Sequence, residues 1–269
     1  MHEEINQLFD LRGKTALITG GARHLGFDAA SILAAAGCDV AITSRDFESA
    51  QSSAEKIIQA YYVKALPLAL DQTNFDSVVE TVDKTLERFG KIDILVNNAG
   101  GTPKSNAAKL AERNPSDISN LIELNLTSVL YVCREVGKAM IEQKNGKIIN
   151  IASIAGIVGR KREIYERNGL LGQSVDYAAA KAGIIGATRD LASYFSPFNI
   201  YVNAISPGGF EREDMPRGFV KDYSELTMTG RLGRDGIDLK GAILFLAAPA
   251  SDYVNGHNLV VDGGLTVWR

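Results

Sequence analysis

Cysteine is nearly absent from this chain. Only Cys38 and Cys133 occur in 269 residues, with no Cys-x-x-Cys step and no Cys/His spacing, so neither a disulfide framework nor a structural zinc site is indicated. An excess of one charge sign is lacking too. A formal net charge of −3 gives no electrostatic reason to expect nucleic acid or an anionic membrane as partner. No apolar run approaches the roughly 20 residues that span a bilayer, and Met1-His2-Glu3-Glu4 is acidic where a signal peptide is basic. These absences lead us to expect a soluble, unexported protein of the reducing cytoplasm. No internal repeat, linker or low-complexity block is found.

What remains is a chain that is 45% hydrophobic, enough for a large core, and α/β folds of this length often form one domain. One domain over 1–269 is therefore expected. Lys14 to Thr19 reads as a short buried strand that runs into Gly20-Gly21-Ala22-Arg23-His24-Leu25-Gly26 and then an apolar helix to Ala36. Strand, glycine turn and helix make a phosphate-binding arrangement: Gly20 permits the turn, the helix N-terminus attracts a pyrophosphate, and Gly26 allows close helix–strand packing. A second strand, Asp39 to Thr43, is followed by Ser44 and Arg45. An NAD site usually has an acid there to hold the ribose hydroxyls, whereas an arginine suits a 2′-phosphate, so Arg45 and Arg23 favour NADP(H) over NAD(H).

The pattern then repeats, with a helix over Asp46 to Ala60, a strand over Ala65 to Leu70, a helix over Asn74 to Phe89 and a strand over Ile92 to Val96. Alternating β and α units imply a parallel sheet with helices on both faces. Asp71 at a strand end can receive an adenine amino group, and Asn97-Asn98-Ala99-Gly100 forms a turn where backbone can approach a ligand. Asp117 to Glu142 reads as largely helical and carries Asn125 in an apolar stretch, where a polar amide needs partners. Lys147 to Ala152 is a fifth strand, ending at Ser153. The segment 156–176 contains Arg160-Lys161-Arg162 and has no clear periodicity. Ile200 to Ile205 is a sixth strand, the polar, Gly-rich 209–230 reads as a mobile substrate cover, Asp238 to Ala248 as a helix and Asn258 to Val261 as the last strand.

Asp176-Tyr177-Ala178-Ala179-Ala180-Lys181 carries the chemistry. A Tyr and a Lys four residues apart share one helix face, and an ammonium beside a phenol stabilises the phenolate and brings proton transfer within reach.

Taken together, Thr19-Gly20…Gly26, Asn97-Asn98-Ala99-Gly100, Asn125, Ser153, Tyr177…Lys181 and Pro207-Gly208 resemble the short-chain dehydrogenase/reductase family, from about Asp10 to the C-terminus. The resemblance implies a doubly wound Rossmann fold with a parallel sheet of about seven strands, one nicotinamide cofactor, no metal, and a homotetramer or homodimer. It also implies roles. Tyr177 would be the general acid-base group, Lys181 would tune it and bond the nicotinamide ribose, Ser153 would hold the substrate oxygen, and Asn125 would complete a proton relay. Leu25, Asp71, Gln72, Asn98, Ala99, Gly100, Pro207, Gly208 and Phe210 would line the cofactor. Three departures stand out: His24 takes the place of the family's usual second glycine, Arg212 that of a Thr which bonds the nicotinamide amide, and 156–176 carries an insertion.

The resulting expectation is an NADP(H)-dependent reductase or dehydrogenase for a carbonyl or secondary alcohol, with a sugar, polyol or sugar acid favoured. Arg160 and Arg162 would recognise an anionic substrate, against the alternative that Glu163, Glu166 and Arg167 balance the cluster and the loop is a solvated surface segment or a subunit contact. A 3-oxoacyl-carrier-protein reductase is the other enzymatic reading. A non-catalytic NADP(H)-binding regulator is the reading from another class.

Overall fold

The computed structural model describes residues 2–102 and 109–268. Its strands are β1 (Thr15–Thr19), β2 (Asp39–Ser44), β3 (Ala65–Ala69), β4 (Ile94–Asn97), β5 (Gly146–Ile151), β6 (Ile200–Pro207), the two-residue β7 (Phe210–Glu211) and β8 (Gly233–Arg234), and β9 (Asn258–Val261). The helices are α1 (Glu3–Phe9), α2 (His24–Ala35), α3 (Phe47–Tyr61), α4 (Phe75–Phe89), α5 (Pro115–Ile122), α6 (Ser128–Gln143), α7 (Glu163–Glu166), α8 (Val175–Phe195), α9 (Arg217–Ser224) and α10 (Lys240–Ala247).

Seven strands form one parallel sheet in the order β3-β2-β1-β4-β5-β6-β9, while β7 and β8 pair separately. This is the doubly wound Rossmann arrangement. Its strands read as apolar runs because both faces are covered. Side chains alternate between two cores: Ala16, Ile18, Val40, Ile42, Ile94 and Val96 pack towards α2 and α10, whereas Leu17, Ala41 and Leu95 join the cluster under α4, α6 and α8. Strand order reverses between β1 and β4, so their carboxyl ends, with Thr19 beside Asn97, open a crevice at the switch point.

Local signals set several boundaries. The Asn74 side chain accepts hydrogen bonds from the Asp76 and Ser77 N–H groups and so starts α4, and Gly90 ends it in the left-handed conformation. Pro115 occupies the first turn of α5, where its missing N–H costs nothing.

Four segments depart from the sequence reading. The helical stretch over Asp117 to Glu142, which opens at Pro115, is interrupted by a π turn over Glu123–Thr127. Strand β4 begins at Ile94 rather than at Ile92, and just before it the Asp93 carboxylate accepts from the Thr15 N–H at 2.9 Å. The segment without periodicity, 156–176, contains the one-turn helix α7, and the Gly-rich 209–230 contains α9. These two segments pack on each other. Ile164, Phe219, Tyr223 and Leu232 share a small apolar core, the Tyr165 and Phe219 rings stand 5.0 Å apart, and the Asp222 carboxylate accepts from Arg167 Nε at 2.6 Å and from Asn168 Nδ2 at 2.7 Å. Among the described residues no helix is long and apolar enough to cross a membrane.

Candidate active site

The crevice end of β1 is held by side chains that bond backbone. Thr19 Oγ1 accepts from the Asn98 and Ala99 N–H groups at 3.0 and 3.1 Å, and Asn98 Nδ2 donates to the Thr19 and Gly20 carbonyls at 3.1 and 3.0 Å. These bonds fasten the loop after β4 to the glycine turn. Gly26 lies beneath that contact, where a Cβ would stand 2.2 Å from the Gly20 carbonyl oxygen and 2.4 Å from Asn98 Nδ2, so only glycine fits.

Helix α2 begins at this point without a side-chain cap and without an acid in its first turn, which leaves its N-terminal N–H groups available to an anion. Arg23 and Arg45 are exposed and make no hydrogen bond or ion pair with the described residues. An uncapped helix end beside two unengaged guanidinium groups suits a phosphorylated dinucleotide. His24 stands in the left-handed region at φ 50°, which costs a non-glycine residue about 1 kcal/mol. Its ring points to Asp235, with Nδ1 3.6 Å from Oδ2.

The remaining residues expected at the crevice divide into groups that face it and groups that brace it. Asp71 is exposed at the end of β3, and its Oδ1 accepts from the Thr73 N–H and hydroxyl. Gln72 is buried, and its amide donates to the Ala99 and Leu124 carbonyls, so its side chain supports the loop from behind. Leu25 is partly buried against the α2 core. Ser44 and Pro207 end β2 and β6, and Ser44 Oγ accepts from the Asp46 N–H. The Gly208 N–H donates to the Val261 carbonyl, while Phe210 is buried in the core.

Tyr177 and Lys181 lie on the inner face of α8, which a chain of buried polar groups ties to the sheet. Asn97 Nδ2 donates to Asn150 Oδ1 at 2.8 Å, and Asn150 Nδ2 donates to Thr188 Oγ1 on α8 at 3.0 Å. Lys181 Nζ lies 5.7 Å from the Tyr177 ring centre and donates to the Ile151 carbonyl at 2.8 Å. Burial alone pushes its pKa down to about 8. Tyr177 is 8% exposed, and burial raises its phenol pKa, opposed first by a hydrogen bond with Ser153, then by the Arg160 charge and the Gln173 side chain.

Asn125 sits within the π turn, fully buried, a placement often found at functional sites. Its Oδ1 accepts from the Gly101 N–H at 2.8 Å, and its Nδ2 donates to the Gly101 and Leu121 carbonyls at 2.9 and 3.1 Å. Gly100 passes so near that a Cβ would lie 2.7 Å from Asn125 Oδ1 and 3.8 Å from Lys181 Nζ. The structure thus gathers Asn125, Ser153, Tyr177 and Lys181 around the end of β5.

A cleft of about 1020 Å³ opens at Ser153, lined by Arg160, Tyr165 and Gln173 together with Arg212, Met215 and Trp268. Both the inserted segment and the α9 region contribute to it. Arg162 stands outside this cleft, so of the basic cluster only Arg160 and Lys161 face it. Neither Glu163 nor Glu166 is ion-paired with the cluster among the described residues, and Arg167 pairs with Asp222 instead. Tyr165, Gln173 and Trp268 carry no motif that sequence reading could have used. Among the described residues no group of three or more His, Cys, Asp or Glu side chains is placed to hold a metal ion.

The family model described as enoyl-(acyl carrier protein) reductase matches residues 20–266. Among curated relatives, 2-dehydro-3-deoxy-D-gluconate 5-dehydrogenase of Dickeya dadantii is 38% identical over 264 residues, covering 95% of this chain and 96% of the relative. The 3-oxoacyl-[acyl-carrier-protein] reductase of Chlamydia muridarum is 37% identical over 258 residues, covering 95% and 98%. A short-chain type dehydrogenase/reductase from Mycobacterium marinum superposes with a TM-score of 0.87 at 31% identity, covering 97% of this chain and 99% of that one. A gluconate 5-dehydrogenase from Burkholderia cenocepacia, solved in complex with NADP and tartrate, gives 0.87 at 34% identity, covering 98% and 100%.

Proposed function

This chain belongs to the short-chain dehydrogenase/reductase family, an oxidoreductase that uses a nicotinamide cofactor on CH–OH groups, and from that premise we propose that it interconverts a sugar acid and its keto form with NADP(H). The observation that carries this reading is the cleft at Ser153. Arg160, Lys161 and Arg212 face it against Asp214 and Glu225, an excess of one cation that suits a small polyhydroxylated anion. The relatives named for gluconate chemistry support the same substrate class.

When bound, the nicotinamide supplies or accepts the hydride. Ser153 holds the substrate oxygen, and Tyr177 gives that oxygen a proton in reduction or takes one in oxidation. Lys181 favours the phenolate and holds the ribose, and Asn125 passes protons onward. The protein works in the cytoplasm as a homotetramer or homodimer.

An assay of cofactor absorbance against sugar acids, neutral polyols and acyl thioesters tests the substrate class. Turnover concentrated in the sugar acids is expected, and turnover of acyl thioesters alone would replace the proposal with the acyl-carrier-protein reading. That second reading draws on the apolar cleft residues Leu170, Met215, Leu226, Leu265 and Trp268, together with the relative from Chlamydia muridarum.

Cofactor choice is tested separately. Because Arg23 and Arg45 are exposed and unengaged, NADPH should bind more tightly than NADH, and Arg45→Asp should erode or reverse the preference. Dissociation constants are measured by fluorescence titration. Equal values for the two cofactors in the unmodified protein would refute the preference.

A further inference from the structure

We propose that Arg160 and Gln173, both from the segment inserted between Ser153 and Tyr177, are positioning residues for Tyr177: the guanidinium fixes the orientation of the Gln173 amide, and that amide presents an N–H to the phenol oxygen. The inference rests on the reading of Tyr177 as the proton-transfer group.

Arg160 Nη1 donates to Gln173 Oε1 at 2.5 Å, and its Nη2 donates to the Gln173 and Ser174 carbonyls at 2.9 and 3.2 Å. A guanidinium offers donors only, so the amide must turn its oxygen towards it, which directs Nε2, also a donor only, the other way. Gln173 lines the same cleft as Ser153 and Arg160, and its side chain is close enough to the Tyr177 phenol to favour ionisation there. An N–H given to the phenol oxygen stabilises the phenolate and leaves the phenol's own proton free for Ser153 or a substrate oxygen.

The same guanidinium clamps the carbonyls of the last two residues before α8. That matters because α8 starts at Val175 with no side-chain cap from Ser174. The arginine therefore places Tyr177 twice, through the helix start and through the amide. Arg160 is also half-buried, and its charge acts on the Tyr165, Tyr177 and Tyr223 phenols.

The charged and titratable groups around Tyr177 come from several elements. Lys181 is on its own helix, Arg160 and Tyr165 belong to the insertion, and Tyr223 comes from α9. The neighbouring Asp176 is engaged by Arg113 from the start of α5. Only Lys181 belongs to the family's shared set of motifs.

The test uses the full chain labelled with 3-fluorotyrosine, whose phenol ionises at lower pH, and follows the Tyr177 fluorine resonance, assigned by its loss in Tyr177→Phe. Gln173→Leu should move the resonance at neutral pH and raise its titration midpoint by about one pH unit, tenfold in the ionisation constant. Arg160→Met should do the same although Gln173 is retained, whereas Arg160→Lys should restore part of the effect. A Tyr177 resonance unchanged in both position and midpoint in Gln173→Leu and Arg160→Met, even with a lower melting temperature, would overturn the inference and leave a structural clamp. No substrate enters this experiment, so it fails independently of the proposed function, which would instead fail if Tyr177→Phe kept full turnover.

Discussion

Replacing Tyr177 by phenylalanine should lower turnover about 10²- to 10⁴-fold, the usual contribution of a general acid-base group, while leaving the fold and cofactor affinity intact. The substitution removes one hydroxyl from a ring that is already packed and 8% exposed, so the surrounding α8, Leu121 and Ala155 keep their contacts. What disappears is the only phenol placed next to Ser153 and backed by Lys181 among the described residues. Steady-state rates with the best substrate from the panel, alongside cofactor titration, separate the two effects. Turnover within a few-fold of the unmodified protein would show that the proton comes from another group.

Arg113→Met is expected to destabilise the protein by about 3–5 kcal/mol, because it strands a buried carboxylate. The Arg113 and Asp176 side chains, 1% and 2% exposed, form an ion pair 63 residues apart in sequence. Arg113 Nη2 also donates to the Asp117 carbonyl. Arg113 Nε and Nη1, Asp176 Oδ1 and Ser174 Oγ nevertheless have no hydrogen-bond partner among the described residues. The pair is thus incompletely satisfied, and replacing both members together, Arg113→Met with Asp176→Leu, should recover most of the lost stability. Denaturant unfolding of the two single variants and the double variant gives the coupling directly. A loss below about 1 kcal/mol for Arg113→Met would mean that water or a rearranged side chain reaches Asp176. Asp176 precedes Tyr177, so the single variants should also lose turnover.

The parts legible in the sequence were those whose signal is local. The glycine turn after β1 shows itself through Gly20 and Gly26, and the Tyr177 and Lys181 pair through its spacing. The sheet shows itself through apolar runs separated by helical ones. What escaped depends on distant residues meeting. The π turn at Asn125 leaves no mark because Glu123–Thr127 reads as ordinary helix, and its looser winding serves a bond with Gly101. The insertion looked patternless since Ile164 and Tyr165 find their partners, Phe219 and Tyr223, more than fifty residues later. Those partners sit four apart on α9, a helical spacing overlooked within a Gly-rich stretch. Arg160 was recognisable as a cation near the pocket, but Gln173 had no signature at all. Gln72 is expected to line the cofactor, and that its side chain also braces the loop is something only its bonds to Ala99 and Leu124 reveal.

The buried Lys181 has a consequence for how such a protein can drift. Its pKa is about 8 in the folded chain against 10.5 as the ordinary value, so folding disfavours the ammonium. Below pH 8 the residue is charged in both states and the full penalty, of order 3 kcal/mol, weighs on the fold. Between pH 8 and 10.5 the unfolded chain binds more protons, so stability rises with pH. Lys181→Met removes the penalty and gives up one bond from an ammonium to the Ile151 carbonyl, worth about 1.5–3 kcal/mol. Its melting temperature should exceed that of the parent at pH 7, with the advantage shrinking towards pH 10.5, and its turnover should collapse. Selection for heat resistance alone would therefore enrich apolar residues at position 181 and yield hardy, inert proteins. A lineage released from catalytic duty has a downhill route to that state, and a library randomised at 181 and sorted by heat would reveal whether the slope exists.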